Sequence, residues 1–189
     1  MNILCIGAGV MSCAFAVAQS GNHIVKVFPS PYDKSTVSSI VSTGKDARLD
    51  IAWPAIQFVD MSSLGDVDCI VVGVSSQGIS WAANVINEIL NGREIPIVLL
   101  TKGLIKDGDR MTVLSDVLEK KLGTLVHVIT GPCIAKQLAH RNETRVEFSS
   151  RDEAKSAQLA SELSLPYYHF QVSKDYIGCQ WAAALKNVY

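Results

Sequence analysis

Apolar residues at 3–6 run straight into Gly7-Ala8-Gly9-Val10-Met11-Ser12, and an alanine-rich apolar stretch over 10–19 follows. This strand–turn–helix junction constrains the fold more than any other segment. A short, unbroken apolar run bounded by a turn is the pattern of a strand covered on both faces, as in a parallel sheet. Gly7 permits the tight turn, and Gly9 lets the backbone approach a pyrophosphate. The helix N-terminus beyond supplies free N–H groups and a positive dipole end. The third position of such loops is usually Gly or Ala, because the helix packs closely on the strand there. Ser12 is larger but still small.

The same rhythm continues along the chain. Strands are predicted over 24–28, 69–74, 97–100, 126–130, 144–148 and 167–171, with an edge strand over 56–59. Helices are predicted over 32–43, 78–90, 111–121, from Pro132 to about 139, over 151–163 and from 175 onward. Residues 45–57 show weak periodicity, and Trp53-Pro54 reads as a loop. Gly21 is expected in the left-handed position after the first helix, and Gly44 stops the second. Ser150 is expected to cap the helix over 151–163, with Glu153 as its capping-box partner. Alternating elements with short connections imply right-handed crossovers, hence an α/β fold with a doubly wound, mainly parallel Rossmann-type sheet. Residues 1–175 make the dinucleotide-binding domain, and 176–189 read as the first helix of a further, helical domain.

Composition narrows the function classes. With 48% hydrophobic and 19% charged residues the chain is core-rich, which excludes a disordered reading. A net charge of −1 gives no basic field for nucleic acid. No apolar run is long enough to span a bilayer, and Met1-Asn2 leads into a strand without a signal-peptide pattern. A cytoplasmic location follows as the expectation. Cys5, Cys13, Cys69, Cys133 and Cys179 are widely spaced without a CxxC pair. That pattern suits a reducing compartment, with neither a disulfide framework nor a metal site. Four of the five should be core, whereas Cys133, after Gly131-Pro132, is the one placed to face a ligand.

Two lysines stand out. Lys186 sits in an uncharged, small-residue helical run, where burying an ammonium costs several kcal/mol or forces its proton off. Lys102 follows the strand over 97–100. Its neighbours in role are the other strand ends, Ser75-Ser76 and Thr130-Gly131-Pro132, all polar or small, and ligands of open α/β sheets bind at those carboxyl ends. An NAD site usually carries an acid at the end of the second strand to hold the ribose. Here that end reads Phe28-Pro29-Ser30-Pro31-Tyr32-Asp33-Lys34. Asp33 lies past two prolines and no arginine stands nearby for a 2′-phosphate, so NAD and NADP both stay open.

These segments together resemble the NAD(P)-dependent glycerol-3-phosphate dehydrogenases. The likeness runs through the Gly7–Ser12 loop, Val74-Ser75-Ser76-Gln77, Thr101-Lys102-Gly103-Leu104, Thr130-Gly131-Pro132-Cys133-Ile134-Ala135-Lys136 and Ala184-Leu185-Lys186-Asn187-Val188. By that resemblance, Lys186 exchanges a proton with the C2 oxygen, and Lys102 lies between nicotinamide and substrate. Gly131, Cys133 and Asn187 fall with them at the substrate. Gly7, Gly9, Val10, Met11, Ser12, Ser30, Ser75 and Ala135 fall at the cofactor, NAD or NADP. Three departures stand out: Ser12 for the usual third glycine, Cys133 where Ser, Thr, Ala or Asn is commoner, and Ala182-Ala183 at a site often Gly-Gly.

The implied reaction is hydride transfer between NAD(P)H and dihydroxyacetone phosphate, giving sn-glycerol 3-phosphate. For Lys186 to act near neutrality its pKa must fall by roughly 3 units. The family's helical C-terminal domain brings an aspartate beside this lysine and an Arg-Asn pair, and it offers a homodimer surface. Val188-Tyr189 carries no stop signal, so the chain is expected to be a fragment with little or no turnover of its own. A ketopantoate or β-hydroxyacid reductase, and a non-catalytic nucleotide-binding module, are the rival readings.

Overall fold

The computed structural model describes residues 1–186. Each predicted strand of the first half appears in place: β1 (Asn2–Ile6), β2 (Ile24–Phe28), β5 (Gln57–Phe58) and β6 (Cys69–Val72), with helices α1 (Val10–Gln19) and α2 (Lys34–Thr43) between them. A small hairpin, β3 (Lys45–Asp46) and β4 (Ile51–Ala52), occupies the weakly periodic segment, and Trp53-Pro54 after it is a loop as expected. A 3₁₀ turn over Ser76–Gly78 then leads to α3 (Ile79–Leu90) and β7 (Ile97–Leu99).

Next comes an unforeseen hairpin, β8 (Leu104–Asp107) and β9 (Arg110–Val113), so α4 (Leu114–Leu122) starts later than the helix expected from 111. Gly108, at φ +62°, supplies the left-handed residue that turns it. Then follow β10 (Val126–Thr130), α5 (Ala135–Ala139), β11 (Thr144–Ser149), α6 (Glu153–Leu163), β12 (Tyr168–Ser173) and α7 (Tyr176–Leu185).

The main sheet has eight strands in the order β12-β11-β10-β7-β6-β1-β2-β5. From β5 to β10 every neighbouring pair is parallel. β11 turns antiparallel to β10, with Thr130 opposite Glu147, and β12 runs parallel to β11. The order reverses between β1 and β6, and that switch point is where the glycine loop opens.

Strand alternation divides the core in two. Ile3 and Cys5 of β1 face a cluster with α1 and α6 that includes Phe15, Leu159 and Tyr168. Leu4 and Ile6 face the other cluster, with Ile79, Ile86 and Leu118 of α3 and α4.

Gly44 takes the left-handed cap of α2 at φ +65°. Gly21 does not take that role, since α1 ends on Ser20 in a right-handed conformation. The cap of α6 is Asp152, whose carboxylate accepts the Lys155 N–H at 3.0 Å. Ser150 instead donates to the Asp152 carbonyl and meets the Ser156 hydroxyl. Cys5, Cys13 and Cys69 are buried as expected, but Cys179 is only half-buried. Among the described residues no helix is long and apolar enough to cross a membrane.

Candidate active site

The glycine loop is shaped by what its neighbours leave no room for. Gly7 takes φ +95°, and a Cβ there would lie 2.8 Å from Val74 Cγ1. A Cβ on Gly9 would lie 2.9 Å from the Gly73 carbonyl oxygen. The third position is solved differently. Ser12 is fully buried and donates its hydroxyl to the Gly7 carbonyl at 2.7 Å. Its room comes from Gly73 on the next strand end, where a Cβ would meet Ser12 Cβ at 2.5 Å. The glycine normally required on the helix has been exchanged for one on the strand.

Helix α1 starts at Gly9 without a capping side chain and without an acid in its first turn, so its leading N–H groups stay open to a ligand. In front of them lies a cavity of about 330 Å³ walled by Gly9, Met11, Val74, Ser75, Thr101 and Lys102. Ser75 is exposed at the start of the 3₁₀ turn, and Val10 is exposed at the helix start. The cradle and its free donors fit a pyrophosphate.

Two residues that sequence reasoning left aside lock this loop. Asp33 Oδ2 accepts the Ala8 N–H at 2.8 Å and the Ser30 N–H at 2.7 Å, tying the end of β2 to the loop. Arg48, from the turn between β3 and β4, donates to the Ala8 carbonyl at 2.9 Å. An arginine does therefore stand beside the loop, contrary to expectation. Arg48 also makes two bonds to Asp46, whose carboxylate is almost wholly buried. Burial alone would raise Asp46, but the bonds from Arg48 outweigh it and hold the carboxyl below its usual range. No local signal marks Arg48, because its partner is the backbone of a residue 40 positions earlier.

The second half of the site gathers at the carboxyl end of β10. Gly131, at φ +118°, packs its α-carbon toward Val146, with room of only 3.4 Å for a Cβ. Its carbonyl accepts the Lys102 ammonium at 3.0 Å. Desolvation in this position lowers the Lys102 pKa, and the like charge of Lys186 adds to it, with Cys133 partly opposing. Cys133 is half-buried, with its sulfur 3.9 Å from Met11 Sδ. Burial raises its thiol, while Lys102 and Lys186 pull the other way. Lys102, Cys133 and Lys186 thus share one electrostatic neighbourhood, joined to the glycine loop through Met11. Ala135 opens α5 beside them, whereas Ser30 lies at the far end of the loop, with Asp33.

Lys186 differs from expectation. It is exposed, as are Ala182 and Leu185 on the same helix, so the described residues do not supply the cover that would bury it. Between α7 and the strand edge opens a cavity of about 680 Å³, with Gly131, Glu147, Cys179, Ala183 and Lys186 on its walls. The Cys179 thiol donates to Glu147 Oε2 at 2.6 Å, which holds the middle of α7 against β11. Asn187 lies outside the described residues.

Comparison with known proteins gives a consistent result. A family model described as NAD-dependent glycerol-3-phosphate dehydrogenase N-terminus matches residues 2–156. The chain is 31% identical over 201 residues to the NADP(+)-dependent glycerol-3-phosphate dehydrogenase of Archaeoglobus fulgidus, covering 100% of this chain and 58% of that protein. It is 29% identical to the glycerol-3-phosphate dehydrogenase [NAD(P)+] of Mesorhizobium japonicum, over 97% of this chain and 54% of the relative. Among solved structures, glycerol-3-phosphate dehydrogenase from Coxiella burnetii superposes with a TM-score of 0.81 at 26% identity, over 99% of this chain and 58% of that one. The chain spans little more than half the length of these relatives.

Proposed function

This chain belongs to the NAD-dependent glycerol-3-phosphate dehydrogenase family through its N-terminal domain, and from that premise we propose that it forms the cofactor-binding half of an enzyme interconverting dihydroxyacetone phosphate and sn-glycerol 3-phosphate. A bound NAD(H) or NADP(H) supplies the hydride chemistry. Gly7, Gly9 and the open N-terminus of α1 hold its pyrophosphate, with Val10, Met11, Ser30, Ser75 and Ala135 lining the rest of its path, while the buried Ser12 braces the loop from behind through the Gly7 carbonyl and does not meet the cofactor. Lys102, Gly131 and Cys133 face the substrate, together with Asn187. Lys186 holds or releases the proton at the C2 oxygen, and Lys102 stabilises negative charge on that oxygen or on the substrate phosphate.

One observation carries this reading: Lys102, anchored on the Gly131 carbonyl, feels the charge of Lys186 at the sheet edge where the glycine loop opens. Two ammonium groups brought together favour an anionic ligand between them. A homodimer and a cytoplasmic location belong to the same proposal, the first testable by sedimentation of the native protein.

Steady-state kinetics of the native protein test the mechanism. Lys186→Ala is expected to lower kcat by about 10²–10⁴ with little change in NAD(P)H affinity. Lys102→Ala is expected to raise the substrate KM as well. Near wild-type kcat in Lys186→Ala removes that lysine from the mechanism. Turnover of ketopantoate but not of dihydroxyacetone phosphate overturns the substrate.

A further inference from the structure

Helix α4 begins without a cap of its own. Its N-cap position is Val113, which offers no side-chain acceptor, so the N–H groups of its first turn need a partner from elsewhere. The partner comes from α7. Gln180 is almost fully buried, and its Oε1 accepts the Ser115 N–H at 3.2 Å. Its Nε2 donates to Ser115 Oγ at 2.8 Å and to the Tyr176 carbonyl at 2.9 Å. One amide side chain thus caps α4 and closes a turn of α7 together.

A second tie lies one turn earlier. Arg151 bonds Asp116 and Glu119 of α4, both at 2.7 Å, and sits 4.8 Å above the ring of Tyr176. Beyond Gln180, Trp181 still packs against the core, but the last turn has little to hold it: Ala182 is exposed, Ala183 and Ala184 are half-buried, and Leu185 is exposed. Lys186 follows Gln180 by six residues, about 9 Å of helix rise. The rotation fixed at Gln180 therefore sets the direction in which Lys186 leaves the helix.

We propose that Gln180 is a positioning residue: by capping α4 it fixes the rotation of α7 and holds Lys186 at the Lys102–Gly131 edge. The functional consequence rests on the reading of Lys186 as the proton-transfer residue, while the geometric consequence does not. Gln180→Met keeps length and apolar fit but removes all three hydrogen bonds. Gln180→Glu puts a carboxylate in place of the amide, which can accept from both Ser115 groups at a helix N-terminus, where negative charge is favoured, and gives up the bond to the Tyr176 carbonyl.

Both variants of the native protein are followed in two ways. The first is the pH midpoint for labelling of Lys102 by acetic anhydride, located by mass spectrometry: desolvation lowers the Lys102 pKa, and the like charge of Lys186 adds to that lowering while it stands beside it. Gln180→Met is expected to raise this midpoint, and Gln180→Glu to leave it near wild type. The second is kinetics. Gln180→Met is expected to lower kcat by about 10- to 100-fold, the usual cost of a small misplacement. The KM for NAD(P)H should not change, and Gln180→Glu should recover most of the loss. Should Gln180→Met not fold, Ser115→Ala removes one Gln180 partner and is expected to give the same shifts to a smaller extent. An unmoved Lys102 midpoint in the methionine and alanine variants overturns the positioning role. A moved midpoint with kcat insensitive to Lys186→Ala upholds the positioning and overturns the catalytic reading instead.

Discussion

The exchange of a glycine from helix to strand at Ser12 and Gly73 makes a quantitative prediction. Gly73 has an ordinary negative-side φ, so alanine there meets no backbone strain and would by itself stabilise the chain by about 0.4–1 kcal/mol through the unfolded state. Against this stands the added Cβ, 2.5 Å from Ser12 Cβ and 2.8 Å from Ser12 Oγ. The Cβ is fixed by the backbone of α1 and cannot swing away, and Oγ can do so only by losing its bond to the Gly7 carbonyl. Overpacking of this kind costs about 1–3 kcal/mol, so Gly73→Ala is expected to destabilise on balance. Ser12→Gly loses the hydrogen bond and some helix propensity, about 1–2 kcal/mol together. In the double variant the side-chain clash is gone, but the Ser12 α-carbon still lies 3.1 Å from the new methyl. That residual closeness consumes the entropic gain, and Gly73→Ala on the Ser12→Gly background should be near neutral. The double-mutant cycle should therefore show favourable coupling equal to the clash less the entropic gain, about 1–2 kcal/mol. Urea denaturation of the four chains measures it. Additive losses, or a harmless Gly73→Ala alone, would refute the argument that Gly73 is there to receive Ser12.

Gly9→Val is expected to abolish NADH and NADPH binding by calorimetry, because even the first added carbon would lie 2.9 Å from the Gly73 oxygen where the pyrophosphate must come close; retained binding would move the cofactor site elsewhere. His127 is almost fully buried, with Nδ1 3.0 Å from Ser156 Oγ, and burial lowers its pKa to about 4. Since its unfolded pKa is about 6.5, the depressed folded value contributes stability that is complete above that pH and lost as pH falls toward about 4. The loss approaches about 3 kcal/mol for a shift of this size. Denaturation at pH 7.5, 5.5 and 4.5 should show the decline in the native chain and a smaller one in His127→Gln; equal slopes would exclude the histidine as its source.

Most of the fold was legible because it rests on short-range rules. Runs such as 69–72 are apolar and β-branched, and the helix over 79–90 repeats its apolar residues at helical spacing, so each announces its own type. The misreadings have one physical cause, competition between neighbouring turn residues. Residues 111–113 join a hairpin because Gly108 turns the chain just before them, which no helical periodicity reveals. Gly21 offers a left-handed cap that α1, ending on a right-handed Ser20, does not use, and Asp152 rather than Ser150 caps α6 because it stands directly before the first helical residue, where its carboxylate reaches the Lys155 amide.

The site divides along a different line. The proposed site residues with a local signal, Gly7, Gly9, Lys102 and Gly131, lie at the carboxyl ends of the strands as their pattern suggests, since a glycine loop or a charge after an apolar strand carries its meaning locally. Residues that act by holding others carry no such signal. Asp33 looked too distant beyond its two prolines, yet those prolines bend the chain so that its carboxylate returns to Ala8. Arg48 belongs to a hairpin without periodicity, and only the burial of Asp46 beside it explains its aim at the loop. The same holds for Ser12, whose tolerance was decided by Gly73, and for Gln180, whose amide serves a helix 65 residues earlier. Lys186 shows the converse: an uncharged helical run predicts burial only if something lies over it, and that partner is not among the described residues. A sequence pattern therefore names the groups that meet a ligand more readily than the groups that hold them there, because the first depend on one element and the second on two.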